Sequence, residues 1–473
     1  MTLRVVDLFS GAGGLALGFQ AVGCEIQAAV DLDDVAGQTF RRNFDILQPE
    51  SHPRVLAGPD FDMDRLDPNE ITDRPPDILI GAPPCQGFSR LGRGKLDSLS
   101  DEGFAGDPRN ALYRRFLEAA ELWRPLAVVM ENVPGMLSVR GVNYADIVVG
   151  ELAGLGYRVG YAHLNAAWYG VPQLRERLFF LGLRSDLQKP PIAPTTTHVA
   201  PTSEGYLPPF RAKAPVLPFG GDWTLDEGQL VVPASEHMLP AITVSEALDD
   251  LVPLTAHLAG NPMPRGDFRS PLPYRCEPHS PYARLMRAWP GFLHSTQVVD
   301  HVVRRTPRDY ETFRLMKHGD RYPEASRIAD QRFENALSQL AAQGKPVTEG
   351  SEEWDELRVR FIPPYDREDF HEKWGKLYPD RPSWTVPAHL AKDSYSHIHH
   401  DSAQARMISI REAARLQSFP DGFGFCGNMG DCFRQIGNAV PPLLAWHIAD
   451  VLLKSLGSSG RSPCDAYGLL PHQ

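Results

Sequence analysis

The chain has 473 residues, more than one hydrophobic core usually serves, since single cores stop growing at roughly 250–300 residues; two domains or more are expected. Its 42% hydrophobic content is ordinary, no apolar run approaches the about 20 residues that span a bilayer, and the six cysteines include no Cys-x-x-Cys pair. These features argue against a membrane protein, a zinc site and a disulfide scaffold, and they fit a reducing cytoplasm. A net charge of −11 means that any nucleic acid would have to meet a local basic face.

In chain order, residues 3–9 read as a buried strand. Asp7-Leu8-Phe9-Ser10-Gly11-Ala12-Gly13-Gly14 joins it to a helix over 14–22, and no signal peptide is expected before it. Glycines at such a junction let a ligand approach the backbone and the helix N-terminus closely. A second strand over 26–31 ends on Asp31, where a carboxylate can accept hydrogen bonds from ribose hydroxyls. Gly11, Gly13 and Ala16 also satisfy the loose dinucleotide pattern, so a nicotinamide enzyme is open at this point. A helix follows over 33–43, and then Asp60 in Pro59-Asp60-Phe61.

The strand predicted over 77–82 runs into Gly81-Ala82-Pro83-Pro84-Cys85-Gln86-Gly87-Phe88-Ser89. The two prolines stiffen the turn, and function gathers beyond the carboxyl ends of strands in open α/β sheets. Cys85 is therefore either a nucleophile or a buried structural cysteine. A helix over 110–123 leads to a strand over 126–133 that carries Glu131-Asn132-Val133-Pro134. Glu131 either reaches the pocket of Cys85 or is an exposed strand-end carboxylate. After a helix over 145–155 and a strand over 157–165 comes Gln173-Leu174-Arg175-Glu176-Arg177, opening a strand over 177–183. Residues two apart on an extended segment share a face, so Arg175 and Arg177 serve one pocket or one surface ion-pair ladder. Alternation of strands and helices predicts an α/β fold with a doubly wound, mostly parallel sheet.

Periodicity fails from residue 189. Residues 189–219 are rich in Pro and Thr, and 220–390 are irregular, acidic at first (Asp222 to Asp250) and basic later, with Arg284, Arg287, Arg304, Arg305, Arg308, Arg314 and Lys317. The basic run is read either as part of a nucleic-acid surface or as a solvated charged face. His397-Ile398-His399-His400-Asp401 resembles a metal cluster, but adjacent histidines rarely converge on one ion; no metal is expected. Cys426 and Cys432 are read as unpaired thiols. Ser409 and Glu412 have capping-box spacing ahead of a helix over 411–417. After Gln435-Ile436-Gly437-Asn438-Ala439-Val440-Pro441-Pro442, apolar residues at Leu444, Ile448, Val451, Leu452 and Leu456 mark one face of a helix. The plan is a first catalytic part (1–188), an insertion (189–390), a return (391–456) and a mobile tail (457–473).

The ordered blocks Asp-x-Phe-x-Gly-x-Gly-Gly, Pro-Pro-Cys-Gln, Glu-Asn-Val, Gln-x-Arg-x-Arg, Arg-Glu-Ala-Ala-Arg-Leu-Gln-Ser-Phe-Pro and Gln-Ile-Gly-Asn-Ala-Val-Pro-Pro resemble the DNA (cytosine-5) methyltransferase family, over about residues 1–185 and 380–455. The resemblance implies a cofactor-binding methyltransferase sheet with an inserted, smaller irregular α+β target-recognition domain, and S-adenosylmethionine as cofactor. It implies Cys85 as the nucleophile at C6 of a flipped-out cytosine, Glu131 on the N3/N4 edge, Arg177 on O2, and Arg175 as the residue ordering the pocket. It places Phe9, Gly11, Gly13, Gly14, Asp31, Leu32, Asp60 and Asn438 at the cofactor. Gln86 and Ser89 fall on the DNA backbone, and Arg304 and Arg305 are the candidates within the insertion.

Double-stranded DNA is then the partner, with a cognate restriction endonuclease as a second one. A cytoplasmic, nucleoid-associated monomer of prokaryotic or phage type is expected. An RNA cytosine-5 methyltransferase and a non-catalytic relative are the alternatives. The large insertion favours DNA over the first, and the presence of both Cys85 and Glu131 disfavours the second.

Overall fold

A run of apolar residues with partners on both edges makes the first strand, β1 (Arg4–Leu8), the middle of the sheet: it pairs in parallel with β2 (Glu25–Asp31) and β4 (Ile78–Gly81). The fold is known from a computed structural model that describes residues 2–84, 112–138, 141–199, 228–259, 270–366, 373–392, 395–458 and 462. Cys85, Gln86, Ser89 and most of the tail lie outside the described residues.

The central sheet has the order β3-β2-β1-β4-β5-β8-β6. It adds β3 (Arg54–Ala57), β5 (Ala127–Asn132), β6 (Tyr157–Asn165) and β8 (Glu176–Arg184). Only β8 runs against its neighbours, antiparallel to both β5 and β6. The order reverses between β1 and β4, the crevice where open α/β sheets bind ligands. The strands are apolar on both faces because both are covered. One core holds Val5, Ile80, Val129 and Phe179, and the other holds Val6, Leu79, Met130 and Phe180. β3 escapes a sequence reading: it is short, lies at the edge and has Arg54 exposed, so it carries no period.

Helix α1 (Gly14–Ala21) starts on Gly13 at φ 93°, where a Cβ would lie 2.8 Å from the stacked rings of Phe40 and Phe44. Those rings belong to α2 (Asp34–Leu47), whose first N–H groups are capped by Asp33. Helices α3 (Leu112–Trp123) and α4 (Tyr144–Gly154) cover the other face.

Beyond the sheet, β9 (Thr196–Val199) pairs with β10 (Ala234–Pro240), and β11 (Leu272–Pro273) with β12 (Gln297–Val298). Between and after them lie α5 (Val244–Leu248), α6 (Pro281–Arg287), α7 (Tyr310–Leu315), α8 (Tyr322–Ala342) and α9 (Glu352–Val359). β13 (Ser383–Trp384) returns to pair with β7 (Gln173–Leu174). Then come α10 (Ile410–Leu416), α11 (Met429–Asn438) and α12 (Pro442–Ser455). The expected capping box of α10 is present, with Ser409 and Glu412 each accepting the other's backbone N–H. α11 had no place in the sequence reading, because its block reads as Gly- and Asn-bearing loop. Met429–Ser455 is long and apolar enough to cross a membrane, but it is two helices broken before Pro442, and 78% of its most apolar window is buried inside the fold. It packs against α1, where a Cβ on Gly18 would lie 2.5 Å from that of Ala445.

The charged residues of α10 are buried, which is costly unless each is paired. The carboxylate of Asp250, at the end of the acidic stretch, accepts from Arg287 at 2.9 Å and from Arg415. Arg415 also donates to Asp421 at 2.9 and 2.6 Å and to the Ala247 carbonyl at 2.8 Å. Arg411 donates to the carbonyls of Val299, Pro420 and Phe423. Glu412 holds Arg406 through two bonds of 2.7 Å. The basic run over 284–317 is divided between internal pairs and exposed positions. Arg287 is buried on Asp250, Arg308 pairs with Asp309 and Arg314 with Glu311, while Arg284, Arg305 and Lys317 are exposed.

Asp250→Ala leaves two buried guanidinium groups short of their counter-charge, and a loss of about 3–5 kcal/mol is expected in urea denaturation. The Glu412 carboxyl is raised by burial, but Arg406 and then His399 outweigh this and hold it well below its usual value. A depressed carboxylate stabilises the fold above its unfolded pKa and ceases to do so as pH falls through its lower folded value. The stability gap between the wild type and Glu412→Gln is therefore expected to be widest near neutrality and to close under acid; a gap that does not depend on pH would contradict this.

Candidate functional site

At the carboxyl end of β1 the chain turns through Phe9, at φ 60°, and Gly11, at φ 53°. A non-glycine residue in the left-handed region is uncommon and tends to mark a functional turn. Asp31, at the end of β2, fastens this loop: it accepts from the Gly11 N–H at 2.7 Å and the Asp33 N–H at 2.8 Å. Burial raises its pKa, against the pull of those two N–H groups. Leu32 beside it is 57% exposed, a high value for a leucine at a strand end. Gly58 donates to the Asp31 carbonyl, which sets the short turn Pro59–Phe61, with Asp60 exposed, beside the same edge.

α11 ends on the exposed Asn438, and the Val440 carbonyl then sits where a Cβ on Gly14 would be, directly over the start of α1. The glycine loop, Asp31 and Asn438 are thus brought to one end of the sheet. Beneath the loop lies Asp7, buried, with both carboxylate oxygens lacking a hydrogen-bond partner. Burial, and then the charge of Asp31, push its pKa well up.

Two strands away, Glu131 and Arg177 meet. In the β5–β8 register Glu131 lies opposite Phe179, which puts Arg177 on its face two residues on. The Arg177 Nε reaches the Glu131 Oε1 at 2.9 Å. Burial raises the Glu131 carboxyl, against the attraction of Arg177 and Arg175. Burial likewise lowers Arg177, so desolvation works against the charged form of both partners. Asn132, next to Glu131, accepts from the Val133 N–H at 2.8 Å and reaches the Pro83 carbonyl at 3.4 Å. That contact ties the end of β5 to the Pro83-Pro84 turn, the last described residues before Cys85.

Arg175 is fully buried and faces inward. It donates to the carbonyls of Gly437 and Ala439, both at 3.0 Å, and of Val386 at 3.4 Å. Burial, and then Arg177, hold its pKa well below the usual arginine value. The sequence reading assigned no role to Gln173 and Gln417, which form a buried amide pair at 2.5 Å. Gln173 also binds the Val386 N–H and the Leu416 carbonyl, and Gln417 donates to the Ala439 carbonyl. Their only sequence signal is their place in two of the ordered blocks. Arg304 donates to the Ala391 carbonyl at 3.0 Å, and its neighbour Arg305 is exposed.

His399 pairs with Glu412 at 3.4 Å, and burial pushes its pKa down to about 4. Among the described residues no group of three or more His, Cys, Asp or Glu side chains could hold a metal ion. Neither Cys426 nor Cys432 forms a disulfide, and the Cys432 thiol lies near the Cys426 carbonyl.

A family model described as C-5 cytosine-specific DNA methylase matches residues 3–214 and 301–454. The chain is 38% identical to the type II methyltransferase M.OihORF3336P of Oceanobacillus iheyensis, over 96% of each chain. It is 32% identical to the type II methyltransferase M.AgeI of Thalassovita gelatinovora, over 95% of this chain and 99% of that one. A crystal structure of a DNA modification methyltransferase encoded within an E. coli prophage shares the fold, with a TM-score of 0.61 at 22% identity, over 97% of this chain and 100% of that one. The two-part family match, which skips part of the insertion and resumes at the return segment, together with near full-length identity to these relatives, establishes that the chain belongs to the C-5 cytosine-specific DNA methylase family and is a DNA (cytosine-5-)-methyltransferase.

Proposed function

We propose that the chain transfers a methyl group from S-adenosylmethionine to C5 of a flipped-out cytosine within a defined sequence of double-stranded DNA, through a covalent adduct of Cys85. The observation that carries this reading is the buried Glu131–Arg177 pair at the end of β5, one strand from the Pro-Pro turn.

The first strand junction suits the cofactor. Nothing lies within 4 Å of a Cβ built on Gly11, so a ligand can approach the backbone there. The Asp31 carboxylate suits a ribose, Phe9 and Leu32 offer apolar contact to adenine, and Asp60 and Asn438 stand at the rim. Gly13 and Gly14 are assigned to the cofactor through their backbone, since Phe40, Phe44 and the Val440 carbonyl fill the space a Cβ would need. Asp7 is a buried acid beneath this loop. When bound, S-adenosylmethionine supplies a methyl group made electrophilic by its sulfonium.

The protein's own groups prepare the base. The Cys85 thiolate forms a bond to C6, and the electrons of the C5–C6 double bond become available at C5. A free thiol has a pKa of about 8.5, so the positive pocket must favour the thiolate. Glu131, whose carboxyl burial raises, must hold a proton to donate to the N3/N4 edge, and that bond polarises the ring in the same sense. Arg177 binds O2, while Arg175 holds the backbone walls of the pocket. Loss of the C5 proton then returns the electrons and breaks the C6–S bond. The base must leave the stack, at a cost of a few kcal/mol. Residues 189–390 recognise the site, and residues 1–188 with 391–456 carry the chemistry. Gln86, Ser89, Arg304 and Arg305 are assigned to DNA. The enzyme acts as a cytoplasmic, nucleoid-associated monomer, and the restriction character of its relatives suggests a cognate endonuclease with the same site.

Expression in a bacterium without cytosine methylation, followed by mapping of 5-methylcytosine, is expected to show one short motif modified, and none with Cys85→Ala. Unmodified DNA from a folded wild-type chain would overturn the reading. Glu131→Gln removes the titrating donor but keeps the shape. A loss in kcat of about 10²-fold or more is expected in single-turnover assays, within the range of general acid catalysis, with cofactor affinity retained.

A further inference from the structure

The turn that carries Asp60 is held from one side by a single guanidinium. After β3 the chain bends at Gly58, which donates to the Asp31 carbonyl at 3.1 Å, and passes through Pro59–Phe61. A second turn follows, closed by the Arg65 and Leu66 N–H groups on the Asp62 carbonyl. Asp60 is exposed at the head of this segment, and Met63 and Leu66 are its buried anchors. Arg115, on α3, spans the far side: its Nε donates to the Met63 carbonyl at 2.6 Å, and a terminal nitrogen donates to the Leu66 carbonyl at 2.7 Å. Its other terminal nitrogen pairs with Glu118 on the helix surface. The next residue, Phe116, lies under Gly81 at the end of β4, where a Cβ would be 3.0 Å from its ring. Arg115 therefore ties the Asp60 turn to the strand that leads into the Pro83-Pro84 turn. Burial of Met63 and Leu66 is non-directional. A planar fork on two carbonyls fixes orientation as well as distance, and its charge strengthens both bonds.

We propose that Arg115 is a positioning residue for the cofactor: by holding the Met63 and Leu66 carbonyls, it keeps the Asp60 carboxylate where it accepts from the 6-amino group of adenine. The proposal rests on the assignment of Asp60 to the cofactor and names the residue through which that contact is set. Arg115 itself touches no ligand. Asp31 fastens the glycine loop at the ribose side through its own bonds to Gly11 and Asp33. Loss of Arg115 therefore acts on one end of the cofactor and spares the other. A positioning role weakens only ligands that bear the amino group, whereas a packing role weakens all of them alike.

The test uses the full chain and calorimetric titration with two ligands: S-adenosylhomocysteine, and S-inosylhomocysteine, in which a carbonyl oxygen replaces the 6-amino group. The wild type is expected to prefer the first by about tenfold, the size of one hydrogen bond to a charged group. Arg115→Ala should reduce that preference to about twofold or less, while affinity for S-inosylhomocysteine stays as in the wild type. Asp60→Ala should abolish the preference as well, and adding Arg115→Ala to it should cost nothing more. Glu118→Ala, which removes only the surface pair of Arg115, should leave the preference intact. Arg115→Lys keeps the charge but not the fork, so it should lose the preference too, and it decides the matter if the alanine variant does not fold. A wild-type preference in a folded Arg115 variant overturns the proposal, and so does an equal loss of both ligands. If the wild type itself shows no preference, the assignment of Asp60 has failed and takes the proposal with it. Wild-type discrimination with DNA left unmodified is a separate result, the failure of the methylation reading alone.

Discussion

One buried carboxylate organises the junction between insertion and return. Asp250 closes the acidic part of the insertion, Arg287 comes from its first basic helix, and Arg415 comes from α10. All three are removed from water, where an unmatched charge costs several kcal/mol. Each therefore makes the position of the others obligatory. Arg287 also stacks on Tyr274, 3.5 Å from its ring centre, and Tyr274 donates to Asp421, the second partner of Arg415. Segments far apart in sequence can satisfy this set only in one arrangement, and that arrangement sets where β13 and the turn after it lie.

The same logic, in neutral form, links the cofactor end to the catalytic end. The Ala439 carbonyl accepts from both Arg175 and Gln417, and one residue on, the Val440 carbonyl caps the approach to Gly14. Gln173 joins Gln417 to the Val386 N–H. A chain of buried hydrogen bonds thus runs from Ala439, in the turn packed on the start of α1, to the segment that leaves β13. Each member is costly to leave unpaired, so the wall around Glu131 and Arg177 is rigid before any substrate arrives.

Much of the parallel sheet was legible in sequence, because strands buried on both faces read as continuous apolar runs and helices on a core carry a 3.6-residue period. β3 and α11 were not: one is four residues at an edge, the other has glycine and asparagine where a helix prefers neither. The capping box at Ser409 was readable because it is a local exchange of hydrogen bonds across three residues. The Arg415–Asp250 and Arg411–Asp300 pairs of α10 were not, since their partners are more than 100 residues away.

By itself the sequence determined the residue types available to the site and the strand ends on which they ride: the glycine loop and Asp31 at the first two strands, Glu131 at the fifth, the paired arginines at the eighth. Such placement follows from the local alternation of strand and turn. Tertiary structure alone decided what each charge does. Arg287 and Arg415 became internal counter-charges, Arg304 a clasp on a backbone carbonyl, Arg175 a brace and Arg177 the partner of Glu131. A guanidinium looks the same in every sequence, and its role depends on how much water it keeps and which acceptors the fold brings within reach.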